Sequence, residues 1–378
     1  MRLFFSLPRS TSFRPIGAGL APVGGRTGTG PPLPLPPERG WARRLRLLRL
    51  FLLLLLVLAL LGGGAGWWAW NRYQAPGPLA DDRAIVIPPG GTQAIADTLR
   101  DAGAIGDERG FALAAWATRQ EGPLRAGEYL FPAHGSLREM LQVLREARPV
   151  QRRLTIPEGL NASQIAALIN TAEGLTGDVP PLEEGAVLPD TYAYQWGDSR
   201  AGLLRRAERS MRQALAEAWE KRAPDLPLAT PREALILASI VERETGKAEE
   251  RAKVAGVFIN RLRRGMPLQS DPTVAYAAAD GGVLDRGLTR ADLERDHPFN
   301  TYRNRGLTPA PIASPGLASI QAVLHPEDTD ALYFVADGTG GHAFARNLEE
   351  HNRNVARWRA LTRTPPSSPA AVPGTTAP

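Results

Sequence analysis

The sequence predicts an α+β protein with a single transmembrane helix near its N-terminus. Three observations carry that prediction. One apolar run is long enough to cross a bilayer, and strand-like and helix-like segments alternate through the rest. Hydrophobic residues make up 43% of the chain, enough for the soluble part to bury a core. A length of 378 residues accommodates two domains plus accessories.

The apolar run extends from Leu50 to Trp70, 21 residues without a charge. At a helical rise of about 1.5 Å per residue it spans about 31 Å, close to the thickness of the hydrocarbon core. Trp67, Trp68, Trp70 and Tyr73 gather at its far end, where amphipathic rings favour the interface. Arg39, Arg43, Arg44, Arg46 and Arg49 gather at its near end, so the positive-inside rule puts the N-terminus in the cytoplasm and everything after Asn71 outside. The run is too long for the apolar region of a cleaved signal peptide, and Trp-Trp-Ala-Trp is a poor cleavage site, so a retained anchor is expected. Residues 1–49 read as a disordered basic cytoplasmic tail, with polyproline character over Pro31–Pro37. Residues 363–378, rich in Pro, Ser, Ala and Thr, read as a second disordered tail.

The formal charge of +6 is misleading, because the first 50 residues hold nine Arg and one acidic residue. The remainder is nearly balanced, and no nucleic-acid partner is expected. Cysteine is absent, which excludes disulfides and cysteine-ligated metals.

Beyond the anchor, residues 71–83 read as a linker containing Pro76-Gly77-Pro78 and Asp81-Asp82. A strand over Ala84–Ile87 is stopped by Pro88-Pro89-Gly90-Gly91, and a helix over Thr92–Ala102 places Ile95, Ala96 and Leu99 on one face. A second strand occupies Gly127–Pro132, followed by a helix over Ser136–Arg145 with a capping box of Ser136 and Glu139. Part of this unit recurs. Ile87-Pro88-Pro89-Gly90, then Ile95-Ala96 and Leu99, is echoed by Ile156-Pro157-Glu158-Gly159, then Ile165-Ala166 and Leu168. The arrangement of strands and helices over residues 84–155 resembles the LysM fold, a small module that binds N-acetylglucosamine polymers. Strand–turn–helix units also recur in α+β proteins for packing reasons alone. Residues 156–229 form a connecting region, irregular over 171–200. It ends in an amphipathic helix from about Ala201 to Arg222, with Leu203, Leu204, Met211, Leu215 and Trp219 on its apolar side. A further domain is expected over 230–362.

Common catalytic signatures are missing: there is no Gly-x-Ser-x-Gly elbow, Walker loop, His-Glu-x-x-His or dinucleotide-binding glycine pattern. His134, His297, His325, His342 and His351 are scattered without metal-ligand spacing. The most informative stretch is Ala234–Thr245, an apolar helical run that ends in Glu242-Arg243-Glu244. A carboxyl at the end of such a run can be desolvated and kept protonated, as the acid in glycosidic cleavage must be. Helix ends also commonly turn polar, so a merely solvated Glu242 is the alternative. Glu244, two residues on, points to nearly the opposite face and cannot pair with it. Downstream, Val254–Leu262 continues as an amphipathic helix ending near Gly265. Met266–Tyr276, Phe299–Tyr302 and Gly306–Ile312 are dense in amides, hydroxyls and rings, side chains that suit a sugar. Leu332–Ala336 reads as a buried strand, followed by Gly340–Phe344.

Ala238–Thr245, Val257–Leu262, Leu268–Thr273 and Asn300-Thr301-Tyr302, in that order, closely resemble the MltG (YceG-like) endolytic murein transglycosylases. The resemblance covers roughly residues 84–358 and implies a YceG-like mixed α/β catalytic domain behind the LysM-like module. It also implies a bacterial inner-membrane enzyme that cuts peptidoglycan glycan strands internally. Carried over residue by residue, it makes Glu242 the catalytic acid/base and assigns Gln269, Asp271, Thr273, Asn300 and Tyr302 to the glycan cleft. No metal and no organic cofactor is implied. Candidate partners are glycan strands, the membrane, penicillin-binding proteins and other cell-wall synthesis proteins. Ser314 and Phe299 depart from the family pattern, where Asn or Thr and Tyr are common. Two other readings compete: a muramidase on the same site, and a membrane-anchored wall-binding scaffold without catalysis.

Overall fold

The structure is a computed structural model that describes residues 39–363. Residues 1–38 and 364–378, expected as tails, lie outside the described residues. The chain divides after Ala69 into two compact units. The described part of the first is most of helix α1, Arg39–Gln74, whose large apolar residues from Leu45 to Trp70 are exposed, as expected of a helix that meets lipid. Over Arg43–Gln74 it is long and apolar enough to cross a membrane. Helix extends eleven residues before the predicted span, so residues 39–49 are helical.

The second unit is α+β, with three apolar cores in chain order. Around the first core are β1 (Arg83–Ile87), α2 (Thr92–Asp101), α3 (Glu108–Ala117), β2 (Gly127–Phe131) and α4 (Leu137–Glu146). β1 pairs antiparallel with β2, Ile85 opposite Tyr129. The alternating inward residues Ile85, Ile87, Tyr129 and Phe131 meet Leu99, Phe111, Met140 and Leu144. The capping box is present: Ser136 accepts from the Glu139 N–H, and Glu139 accepts from the Ser136 N–H, a pattern worth about 1 kcal/mol. Segment 75–82, expected as a free linker, is packed instead. Leu79 is buried, the Gly77 N–H donates to the His134 carbonyl at 3.0 Å, and the His134 N–H returns a bond to Leu79.

The second core has β3 (Arg152–Thr155), α5 (Ala162–Thr171), β4 (Thr191–Tyr194) and α6 (Arg200–Glu220). β3 pairs antiparallel with β4, Leu154 opposite Tyr192, and Leu154 packs against the second core. β4 lies in the stretch expected to be irregular. The repeated motif forms strand, turn and helix in both copies, but only α5 has a side-chain cap, a capping box of Asn161 and Gln164.

The third core is mainly helical: α7 (Pro231–Glu244), α8 (Ala248–Arg263), α9 (Asp271–Ala278), α10 (Arg290–Glu294) and α11 (Leu317–Leu324). It is closed by β5 (Tyr333–Ala336), β6 (His342–Ala345) and α12 (Leu348–Arg363). Pro231 at the first helical position and the Thr230 cap start α7 three residues before the apolar run read from sequence. Ala234–Val241 are buried without a break because α6, α8, α9 and α11 surround this helix. α6 joins two cores, with Leu203 and Leu204 in the second and Met211 in the third. α9 was not anticipated; it starts within the polar stretch at Asp271-Pro272, where proline suits a first turn. β5, expected as a buried strand, is only half-buried and pairs with β6.

Candidate active site

α7 is fixed in the core, so its C-terminal residues leave it in set directions. Glu242 and Glu244 emerge on different sides and share no bonded partner, as their spacing predicts. Glu242 turns toward the segment before α11, where its Oε2 accepts from the Gly316 N–H at 2.9 Å. That segment is tied to α7 one turn earlier, since the Ser239 hydroxyl accepts from the Ile312 N–H at 3.0 Å. It also pairs with the second copy of the repeated turn. The Gly159 N–H donates to the Ser314 carbonyl at 2.9 Å, and the Ser314 N–H donates to the Leu160 carbonyl at 2.8 Å. Gly159 adopts φ +76, a conformation glycine takes without strain. Arg243 Nη1 donates to the Gly159 carbonyl at 3.1 Å, locking the turn to α7. Ser314 contributes through its backbone, so this pairing does not depend on its departure from the family pattern.

The turn also delivers Glu158, whose carboxyl lies so close over Gly316 that a Cβ there would overlap it. Desolvation, and then the charge of Glu242, push the Glu158 pKa above its ordinary value, while Arg251 pulls it down. Arg251 and Leu317 also line a cavity of about 620 Å³ between α6, α8 and α11, with Lys221, Gln321 and His325. Leu317 follows Gly316 in sequence, but neither Glu158 nor Glu242 lines the cavity.

The expected glycan-contacting residues gather on the other side, around Glu244. Glu244 Oε1 accepts from the Ser270 hydroxyl at 2.5 Å. Burial, helped by Asp271 and opposed by the Ser270 bond and Arg261, pushes its pKa up to about 7. The desolvated carboxyl sought at the end of α7 is thus found at Glu244. Arg261 is buried there, donating to the carbonyls of Leu332 (2.6 Å), Leu268 (2.8 Å) and Pro267 (3.2 Å), and to Gln269 Oε1 at 3.2 Å. The Tyr302 hydroxyl donates to Asp271 Oδ1 at 2.6 Å. Gln269 and Asp271 are exposed, and Gln269 holds a left-handed φ of +52, local strain of a kind that collects at functional sites. Thr273 and Asn300 differ from expectation. Both are fully buried: Thr273 bonds the Ser270 carbonyl and the Thr301 hydroxyl, and Asn300 donates to the carbonyls of Leu293 and Arg295. Their polar atoms build the loop frame, which leaves Gln269, Asp271 and Tyr302 as its outward polar groups. Phe299 packs on Tyr276 with ring centroids 4.9 Å apart, a contact that needs no hydroxyl.

Sequence reasoning missed Glu158, Arg261 and Ser270 as parts of these neighbourhoods. Only for Glu158 was there a signal: the two copies of Ile-Pro-x-Gly differ at x, Pro89 in the first and Glu158 in the second.

Residues 85–357, spanning all three cores, match the model of the YceG-like family. The chain belongs to that family. Among relatives of this YceG-like protein, an endolytic murein transglycosylase of Bacillus subtilis (strain 168) is 40% identical over 178 residues, 47% of this chain and 48% of the relative. One of Streptococcus pneumoniae serotype 2 (strain D39) is 31% identical over 324 residues, 72% of this chain and 57% of the relative. The chain thus spans about half the length of the curated relatives it matches. A crystal structure of a yceG-like protein from Listeria monocytogenes is 28% identical, with a TM-score of 0.44 over 72% of this chain and 99% of that one.

Proposed function

We propose that this YceG-like protein is an endolytic peptidoglycan lytic transglycosylase with Glu242 as its acid/base. The observation that carries the reading is the Glu242 carboxyl at the end of α7, held by the Gly316 N–H at 2.9 Å with Glu158 beside it. The names of the B. subtilis and S. pneumoniae relatives support the substrate. Glu242 protonates the oxygen joining MurNAc C1 to GlcNAc, and the C1–O bond breaks with its electron pair going to that oxygen. The carboxylate then takes the proton from the MurNAc C6 hydroxyl, which attacks C1 and leaves a 1,6-anhydro end. Proximity lets the internal hydroxyl compete with water. No metal or organic cofactor enters this chemistry. Gln269, Asp271 and Tyr302 supply polar contacts to the strand.

In this reading α1 spans the inner membrane once, with its N-terminus cytoplasmic and the catalytic unit periplasmic, and the substrate is nascent glycan. The β1–α2–α3–β2 unit has the strand, helix, helix, strand order of a LysM module and binds N-acetylglucosamine units. Penicillin-binding proteins and other cell-wall synthesis proteins are its partners.

The test is mass spectrometry of isolated peptidoglycan digested by the full-length protein and by Glu242→Gln. Anhydro ends from the wild type and none from the variant are expected; variant activity near the wild-type level overturns the assignment. One observation favours a second reading. A carboxyl close to the acid is the usual equipment of glycoside hydrolysis, and Glu158 supplies one. Reducing ends in place of anhydro ends would make the protein a muramidase.

A further inference from the structure

The transglycosylase reading uses one carboxyl, yet two converge on a single peptide unit. Gly316 donates its N–H to Glu242 Oε2 at 2.9 Å, and the Glu158 carboxyl covers its Cα. The turn carrying Glu158 cannot drift, because both its neighbours in sequence toward α5 are tied down. Gly159 and Leu160 exchange backbone bonds with Ser314, and Arg243 clamps the Gly159 carbonyl. Long-range pairing therefore fixes the backbone that carries Glu158, while the residue itself is exposed. Glu158 still faces solvent on its other side, so it is not a core carboxyl serving only the fold. The charged groups facing it are few. They are Glu242 from α7 and Arg251 from α8, while Arg243 is engaged with the Gly159 carbonyl. Arg251 has a buried Nε with no hydrogen-bond partner among the described residues, so its charge is uncommitted at that atom. Desolvation, and then the Glu242 charge, raise the proton affinity of Glu158, while Arg251 lowers it.

We propose that Glu158 and Glu242 work as one carboxyl pair above Gly316, with Glu158 as a positioning residue that exchanges a proton with Glu242 during the reaction. The substrate in this proposal rests on the transglycosylase reading. The pair starts with one proton and one negative charge. Its proton goes to the leaving oxygen as the C1–O bond breaks, and the electron pair of that bond leaves with the oxygen. As O6 bonds to C1, the O6 proton returns to the pair. The pair ends as it began, and no outside acid or base is consumed. The negative charge left on the pair faces C1 while positive charge builds there.

Two measurements on the full-length protein in detergent test this. The first is the pH titration of the Glu158 carboxyl, followed by NMR with ¹³C-labelled glutamate, in the wild type and in Glu242→Gln. Removing the facing charge should lower the Glu158 midpoint; an unchanged midpoint overturns the pair. The second is the pH–rate profile of anhydro-end release for the wild type, Glu158→Gln and Glu158→Asp. Without the Glu158 charge the last proton leaves at lower pH, so the basic limb should move to lower pH. kcat should fall about tenfold to a hundredfold with KM nearly unchanged, and Asp should restore part of the rate. A wild-type kcat and unmoved limb in Glu158→Gln also overturn the proposal, while thermal melting shows that the variants are folded. A wild-type protein that releases no anhydro ends would sink the transglycosylase reading, and the titration would still decide the pair.

Discussion

Glu242 and Glu244 leave one helix two residues apart and enter unlike surroundings. Glu242 has a single backbone donor, a second carboxyl beside it and a cavity nearby. Glu244 is enclosed by Ser270, Asp271, Arg261 and the Tyr302 hydroxyl group, and burial lifts its pKa to about 7. In the proposed reading the perturbed carboxyl is not the reactive one. Glu244 is desolvated and bonded by Ser270, which suits a structural joint; Glu242, half-buried like Glu244, meets one backbone donor, which suits chemistry.

The sharpest way to break this comparison is to neutralise each carboxyl in turn. Glu242→Gln should lower activity by about 10²–10⁴-fold, the usual contribution of a general acid/base, with the melting temperature little changed. Glycan digestion and thermal melting check this, and an equal or larger catalytic loss in Glu244→Gln alone would exchange the roles. Next in size is Arg261→Ala. It leaves the carbonyls of Leu332, Leu268 and Pro267 without their donor, and should cost about 3 kcal/mol or more in denaturant unfolding. A loss under about 1 kcal/mol would show that the Glu244 side is not a structural joint.

The pH dependence of stability sharpens the same point. Because the folded pKa of Glu244 is raised to about 7, the folded chain holds a proton that the unfolded chain releases near 4.5. The wild type should therefore lose stability relative to Glu244→Gln as pH rises from about 4.5 to about 7, and the difference should then level off. Melting temperatures across that range measure it, and a flat difference would remove the desolvation argument. The smallest effect is expected for Tyr302→Phe, which deletes the Asp271 bond and should cost about 0.5–1.5 kcal/mol of stability.

Much of the fold could be read from sequence because its signals are local. The uncharged run of α1 is one continuous stretch, and the Ser136–Glu139 capping box lies within four residues. What escaped depends on pairing. β4 is a four-residue strand whose identity comes from β3, and α9 starts inside a segment whose polarity suggested a loop. In the candidate site, Glu242 was reached through resemblance and Glu158 was passed over, since only folding brings the two together. Thr273 and Asn300 looked like sugar contacts because side-chain type cannot tell a hydroxyl or amide facing a ligand from one bonding a buried carbonyl.

The pairing of Gly159 and Leu160 with Ser314 has a consequence for the timing of activity. A chain still being synthesised can complete α5, α6 and α7, and so carry Glu158 and Glu242, well before Gly316 exists. Until then Glu242 lacks its backbone donor, and the turn bearing Glu158 has nothing to lie against. Long-range closure of this kind forms late, after the local helices. The two carboxyls are therefore brought into register by the last third of the chain.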